Sequence, residues 1–357
     1  NGLELQLPPS QDHAPPPEPF TLPDIQLPLA VNIADFQART LRILPANAAP
    51  ILIDAIHLQT QTEAHGLTID LLDVWAPQGE VHLSGRLNPT GGYPLQARLT
   101  WQLLTPDHGT VQGQGEIQGE LRDRLRLTQR ITGPATLELT GDVRQPLDSQ
   151  PAWSAQATLE VADLKPFVPE LAGQPLTARL DAKGVLTRFQ GQGEVNTTLP
   201  ELGPATLRFT AAGDEQAVQL DELRLTAAHR PLALTVKGDV QFAELRFNAS
   251  GQWQALVWPL TGPPQVESSK GDFTVQGTAQ DYRFQLAADL QGPDLPQGRW
   301  TLNGQGSDQA LRELKFSGQT LGGVLQGAAE VAWLPAVRWQ ATVNGENLNP
   351  GAHWKDV

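Results

Sequence analysis

The stretch WSAQATLEV, residues 153–161, has an apolar or small residue at every second position, from Trp153 to Val161. Polar or charged residues fill all four positions between them. A period of two is the pattern of a β-strand with one buried and one solvated face. Turn-forming residues flank the stretch on both sides, as they do for strands. The stretch therefore predicts a strand, and it also predicts which face of that strand is dry.

The same pattern returns twice further along the chain. Residues 247–253 read FNASGQW, and residues 339–343 read WQATV. Phe247 lies 94 residues after Trp153, and Trp339 lies 92 residues after Phe247. A fixed period of this kind indicates a repeat architecture. Because about 93 residues are too many for one coil of a solenoid, each repeat is expected to contain several hairpins.

A second motif recurs at the same spacing. Residues 220–225 read LDELRL, and residues 311–316 read LRELKF. We predict a continuous repetitive β-sheet over residues 20–357, preceded at residues 1–19 by a strand fragment and a proline-rich linker, since proline is excluded from helices and central strands. The approximate repeat boundaries are 67–140, 141–237, 238–326 and a partial repeat at 327–357.

Composition excludes several classes of function. The 357 residues include no cysteine, which rules out disulfides and thiolate metal sites. The net charge of −14 disfavours nucleic acid and anionic membrane surfaces as partners, because both are bound by clustered Lys and Arg. No apolar run approaches the 18 residues of a membrane span. The first residue is not methionine, and we expect an internal segment of a longer, exported protein.

These patterns predict the fold class. We expect an all-β protein built as an elongated, curled antiparallel sheet, a taco-like groove with an apolar interior. One short helix is predicted at residues 166–173, where Pro166 is suited to the first turn and Gly173 to the C-terminal end. One or two very short helices in total are expected, because no longer stretch has a sustained period of 3.6 residues.

No reactive constellation emerges from the sequence. The seven histidines share no metal-ligand spacing, and no nucleophile motif occurs. Gly113-x-Gly115 and Gly191-x-Gly193 lack the third glycine of a dinucleotide fingerprint, so they predict bulges or close strand contacts. Asp221-Glu222 is interpreted as part of a solvated strand face or turn. We therefore expect no enzyme activity, no cofactor and no metal. The nine tryptophans are compatible either with ordinary core packing or with the lining of an apolar binding surface.

Three features resemble the TamB family of bacterial envelope proteins. They are residues 93–101, YPLQARLTW; the Gly-Asp-Val units at residues 141–143 and 238–240, each followed by a strand with an aromatic-x-Ala pattern; and residues 339–350, WQATVNGENLNP. The resemblance implies an AsmA-like, non-enzymatic protein of the periplasm. It also implies an inner-membrane anchor and contact with an Omp85-type outer-membrane barrel protein, both through regions outside this chain.

The resemblance further implies that phospholipid passes between the inner and outer membranes through a hydrophobic groove, in contact with its acyl chains. The alternative is a chaperone or scaffold for the assembly of outer-membrane β-barrel proteins and autotransporters. A third hypothesis, a β-solenoid adhesin or carbohydrate binder, fits the long period poorly. The candidate groove-lining residues are Leu137, Leu139, Leu159, Leu207, Phe209, Leu234, Val236, Phe247, Phe273, Val275, Phe284, Leu286 and Leu302.

Overall fold

The structure is a computed structural model that describes residues 3–6, 30–44, 51–63, 66–106, 109–200, 202–229, 231–259 and 263–354. The chain divides into two compact units, unit 1 at Asn1–Thr187 and unit 2 at Arg188–Val357. The predicted proline-rich linker lies outside the described residues. The predicted repeat boundaries stay a prediction.

Unit 1 contains eleven described strands. They are β1 (Leu3–Gln6), β2 (Asn32–Leu44), β3 (Ile51–Glu63), β4 (Gly66–Ala76), β5 (Gly79–Leu87), β6 (Pro94–Thr105), β7 (Gly109–Glu120), β8 (Arg124–Thr132), β9 (Ala135–Arg144), β10 (Ala152–Val161) and β11 (Leu176–Val185). β1 pairs in parallel with β2. From β2 to β11 each strand pairs antiparallel with the next one in sequence.

Unit 2 is also an antiparallel meander. Its described strands are β12 (Arg188–Leu199), β13 (Gly203–Asp214), β14 (Ala217–Ala227), β15 (Ala233–Gln241), β16 (Arg246–Trp258), β17 (Val266–Gly277), β18 (Tyr282–Gln291), β19 (Gly298–Gly306), β20 (Ala310–Thr320), β21 (Gly323–Ala332) and β22 (Arg338–Glu346). Each strand from β12 to β22 pairs with its neighbour in sequence. The predicted all-β antiparallel fold is confirmed.

Two single-turn 3₁₀ helices, Pro169–Leu171 and Pro350–Ala352, are the helices of the described residues. The prediction of very short helices is therefore confirmed, but the bounds predicted for the first were wrong. This helix begins at Pro169, because that proline occupies the first turn while Val168 before it is extended. The predicted end is supported, since Gly173 has a positive φ of 77°.

The repeat corresponds to six strands, since β10, β16 and β22 carry the recurring aromatic-x-Ala pattern. The second motif marks a β-bulge in both repeats. The pairing of β14 with β15 shifts between Leu220 and Leu223, and that of β20 with β21 shifts between Leu311 and Leu314. In each case the two charged residues of the motif face one residue of the next strand, which explains why a charged pair interrupts an otherwise alternating pattern.

The described residues include few fully buried side chains. In unit 2, Leu202, Leu232 and Val257 form a small cluster near strand ends, and Leu202 and Leu232 are essentially inaccessible to solvent. Most other apolar side chains in the strands are half-buried. Stability therefore depends mainly on strand pairing and on contacts along one sheet face.

Candidate functional site

The strand register places the apolar residues of unit 2 on one face. Leu207 pairs with Leu225, which pairs with Leu234, and Leu234 pairs with Trp253. Residues that pair directly across an antiparallel sheet project to the same side. The next row runs from Phe209 through Leu223, Val236, Gly251, Phe273, Leu286 and Leu302 to Phe316.

We call this side the apolar face of unit 2. It carries all ten unit 2 candidates, namely Leu207, Phe209, Leu234, Val236, Phe247, Phe273, Val275, Phe284, Leu286 and Leu302. In the described strands from β12 to β22, none of the residues paired along this face is charged. Charged side chains occupy the opposite, polar face, where Arg208 Nε lies 2.8 Å from Glu194 Oε2.

Unit 1 has an apolar face of the same kind. Leu137 pairs with Leu159, and Leu139 pairs with Ala157, so the three unit 1 candidates share one side. The residues paired along this side from β4 to β11 are also uncharged. Gln129, the partner of Leu139, lies on the same side, and its buried Nε2 has no hydrogen-bond partner.

All thirteen candidates are half-buried. They are neither sealed in a core nor fully in water, which is the environment of side chains that line an open apolar surface. The structure thus groups the candidates by unit and places them on one face in each. Contact with lipid stays a prediction.

The apolar faces carry a second feature that the sequence analysis missed. Eight aromatic rings each lie over the glycine directly opposite on a neighbouring strand, so closely that a Cβ atom at the glycine would overlap the ring. The pairs are Trp101 and Gly113, Phe189 and Gly213, Trp253 and Gly271, Phe273 and Gly251, Tyr282 and Gly306, Phe284 and Gly304, Trp300 and Gly318, and Phe316 and Gly327. The prediction of close strand contact at Gly113-x-Gly115 is confirmed at Gly113. A sequence signal for these ring–glycine pairs was available, because glycines occur in the strands at positions where the alternation calls for an apolar residue.

Hydrogen bonds fix several of the indole rings. Trp253 is only 7% exposed, and its Nε1 donates to the Oγ of Ser268 at 2.8 Å. Trp153 Nε1 donates to the carbonyl of Val185 at 3.1 Å. The ring centroids of Trp253 and Phe273 are 6.3 Å apart, within the range of aromatic pairs. Trp153 and Trp253 are therefore held in fixed positions on the apolar faces.

The polar face of unit 1 contains the main cluster of titratable groups. Asp73 is buried and lies between His57 and His82 in the cross-strand register. His82 Nδ1 lies 2.7 Å from Asp73 Oδ1, and this hydrogen bond raises the pKa of His82, with a smaller contribution from Glu80. His57 Nε2 lies 2.8 Å from Asp35 Oδ1. His82 can bind a proton here, and its short contact with the buried Asp73 has the geometry of a structural ion pair.

Two kinds of site are absent from the described residues. No group of three or more His, Asp or Glu side chains is placed to hold a metal ion. No helix in the described part of the chain is long and apolar enough to cross a membrane.

Fold and site together define a class: a β-meander protein that presents a charge-free apolar face and carries its charges on the other. The chain matches the family model described as TamB, N-terminal domain, over residues 6–239 and 227–357. It belongs to the TamB family, as its motifs indicated. No solved structure matches the chain significantly.

Proposed function

We propose that this chain is a non-enzymatic, periplasmic segment of a lipid conduit, and that its apolar faces hold phospholipid acyl chains in transit between the inner and outer membranes. The observation that carries the proposal is the run of half-buried apolar residues, free of charge, along one face of each unit. Membership of the TamB family supports the setting in the bacterial envelope.

Removal of apolar surface from water would drive the binding of acyl chains to these faces. Half-exposed leucine, valine and phenylalanine side chains gain when apolar material covers them, and each methylene of an acyl chain removed from water contributes about 0.8 kcal/mol. A charged side chain on the same face would have to lose its hydration as the lipid arrived, at a cost of several kcal/mol. The absence of charge along the described apolar faces therefore suits an acyl ligand.

The setting of the whole protein is part of the proposal. The two ends of the conduit would be held at the two membranes through other regions of the protein. One end would be held by an anchor in the inner membrane and the other by an Omp85-type barrel protein in the outer membrane. The chain itself then needs only to keep acyl chains away from water, which requires no catalytic group.

Crosslinking at neighbouring positions tests the proposal. Phe284 and Gln285 are adjacent in β18 and project to opposite faces. A photoreactive residue at position 284 should trap phospholipid, identified by mass spectrometry, and the same residue at position 285 should trap little. Leu139 and Glu138 of β9 form the equivalent pair in unit 1. Equal yields from both faces, or no lipid from either, would refute the proposal.

A charge on the apolar face gives an independent test. Phe284→Asp should keep the circular dichroism of the wild type while losing lipid, because water can reach the new carboxylate in an open groove. Gln285→Asp is the matched control and should change neither. Gross unfolding by both Phe284→Asp and Val236→Asp would instead indicate a sealed core, in which an unpaired carboxylate costs several kcal/mol.

A chaperone or scaffold role in outer-membrane protein assembly is the second candidate function. Membership of the TamB family supports the same setting in the bacterial envelope for this role. Such a role would use strand addition to an open sheet edge, which is a general mode of peptide recognition. Client polypeptide trapped by crosslinkers on β22, with no lipid trapped on the apolar faces, would favour this function over the first.

A further inference from the structure

A cavity of about 490 Å³ opens in unit 2 at one end of four successive strands. It is lined by residues close to the ends of β16 and β18 and to the starts of β17 and β19. Its volume is within the range of ligand-binding cavities, about 300–1,000 Å³. Because the strand ends bound the apolar face of unit 2, we call this boundary the rim of that face, and the cavity lies at the rim.

The outermost row of the apolar face contributes part of the cavity wall. This row consists of residues that pair in succession from β16 to β19 and that all line the cavity, namely Leu256, Ser268, Leu290 and Gly298. The Oγ of Ser268 accepts the hydrogen bond of the Trp253 indole, and Trp253 belongs to the next row of the same face. One wall of the cavity is therefore continuous with the surface that is proposed to hold acyl chains.

Charged residues contribute another part of the wall. Glu267 and Asp289 are half-buried, Arg299 is exposed, and all three line the cavity. Asp289 pairs with Arg299 across β18 and β19, which places their Cβ atoms about 5 Å apart. Asp289 Oδ2 lies 3.6 Å from Lys270 Nζ, whereas the guanidinium of Arg299 has no hydrogen-bond or ion-pair partner in the described part of the chain. The cavity thus places two carboxylates and one guanidinium side by side.

These charges discriminate between kinds of ligand. A purely anionic group would meet the two carboxylates and a purely cationic group would meet the guanidinium, so each would face a repulsive charge. A ligand that carries both a phosphate and a primary ammonium has an attractive partner for each of its charges. A guanidinium forms bidentate hydrogen bonds to phosphate oxygens, and an ammonium has three N–H donors for carboxylate oxygens. The apolar wall beside these charges suits a ligand that also carries hydrocarbon.

We propose that this cavity is a headgroup site for a zwitterionic phospholipid, with the phosphate at Arg299 and the primary ammonium at Glu267 and Asp289. The inference rests on the proposed function, because the acyl chains of the same lipid would lie on the apolar face. The headgroup would not lie on that face, since a phosphate there would lose its hydration without gaining a charged partner. It would project past the strand ends, where the cavity offers it partners for both charges.

Photocrosslinking inside the cavity tests the site. Gln297 is exposed and lines the cavity, so a photoreactive residue at position 297 samples its contents. The chain is mixed with vesicles that contain equal amounts of phosphatidylethanolamine and phosphatidylglycerol with the same acyl chains. We expect position 297 to trap about fivefold more of the ethanolamine lipid, with the adduct on the headgroup side of the molecule. Equal yields of the two lipids, or adducts on the acyl chains, would overturn the proposal.

Two variants separate the roles of the charges. Glu267→Gln combined with Asp289→Asn should remove the ethanolamine preference at position 297, because the partners of the ammonium are lost. Arg299→Gln should lower the yield of both lipids there about threefold, because both carry a phosphate. The matched controls, Lys237→Gln and Glu330→Gln, change exposed charges of the polar face outside the cavity and should alter neither result. An ethanolamine preference that survives the loss of both carboxylates would refute the site.

A small soluble compound is the competing source of the same chemistry. Glycerophosphoethanolamine has the headgroup but no acyl chains, so at a concentration equal to that of the lipid it should leave lipid capture at position 297 unchanged. Loss of capture at that concentration would show that the ligand is a soluble compound and would overturn the proposal.

The photoreactive residue at position 284 reports separately on the apolar face. Lipid trapped at position 284 without an ethanolamine preference at position 297 would refute the headgroup site alone. Absence of lipid at position 284 would refute the proposed function. Failure of the headgroup site and failure of lipid carriage are therefore distinguishable.

Discussion

Gly271→Ala tests whether the aromatic rings are held flat over cross-strand glycines. A Cβ at position 271 would overlap the indole of Trp253, and the ring has little freedom to move, because its Nε1 donates to Ser268 Oγ at 2.8 Å. Gly141→Ala is the matched control. It also lies within a strand, but its nearest neighbour is the carbonyl oxygen of Ser154 at 3.5 Å, an ordinary contact.

The size of the effect follows from the burial of Trp253, which is 7% exposed. Displacing the ring so that about half of its roughly 200 Å² returns to water costs about 2.5 kcal/mol at about 25 cal/mol per Å². Loss of the hydrogen bond adds about 1 kcal/mol. Because alanine is favoured over glycine within a strand by about 0.5–1 kcal/mol, the expected net loss is about 3 kcal/mol. Gly141→Ala should be neutral or stabilising by about 0.5 kcal/mol.

Urea unfolding followed by circular dichroism measures both variants. The double variant Trp253→Ala, Gly271→Ala supplies the internal check, since Gly271→Ala should cost almost nothing once the ring is gone. Equal stability of Gly271→Ala and Gly141→Ala, or an unchanged cost in the Trp253→Ala background, would refute the reasoning.

Three further predictions concern single polar groups. The hydrogen bond to Asp73 raises the pKa of His82 in the folded chain. The contribution of this hydrogen bond to stability should therefore be full below about pH 6.5 and be lost as the pH rises through the folded pKa of His82. Asp73→Asn should flatten the pH dependence of the free energy of unfolding in urea between about pH 5.5 and about pH 8.5, and an unchanged slope would contradict this. Asp214 accepts a hydrogen bond from the backbone N–H of Gln216 at 2.8 Å, and this bond lowers the pKa of the Asp214 carboxyl. Asp214→Ala should therefore speed hydrogen exchange at the Gln216 amide. In the wild type, the same protection should be lost as the pH falls through the lowered pKa of Asp214. Gln129→Leu removes a buried amide nitrogen that has no hydrogen-bond partner on the apolar face of unit 1, and it should stabilise the chain by about 1 kcal/mol in urea unfolding. A loss of stability would show that this nitrogen is paired in solution.

Several features were predictable because they depend on local sequence alone. The alternation in residues 153–161 identifies both the strand and its dry side, since successive side chains of a strand project to opposite faces whatever the strand pairs with. The repeat was visible for the same reason, as Trp153, Phe247 and Trp339 recur in equivalent strands. The bounds of the first helix were wrong because a local pattern with two prolines, Pro166 and Pro169, does not decide which of them begins the turn.

The register was settled only by the tertiary structure. Trp253 and Gly271 are 18 residues apart, and the residues around each of them do not indicate that the two meet. Turn lengths and bulges, such as the shift between Leu220 and Leu223, determine which residues pair. A slip of one residue would move every side chain of a strand to the other face. The sequence by itself thus determined that each strand has an apolar side. The pairing of many strands determined that these sides join into charge-free faces that carry aromatic rings, because register is a property of two strands and of the turn between them.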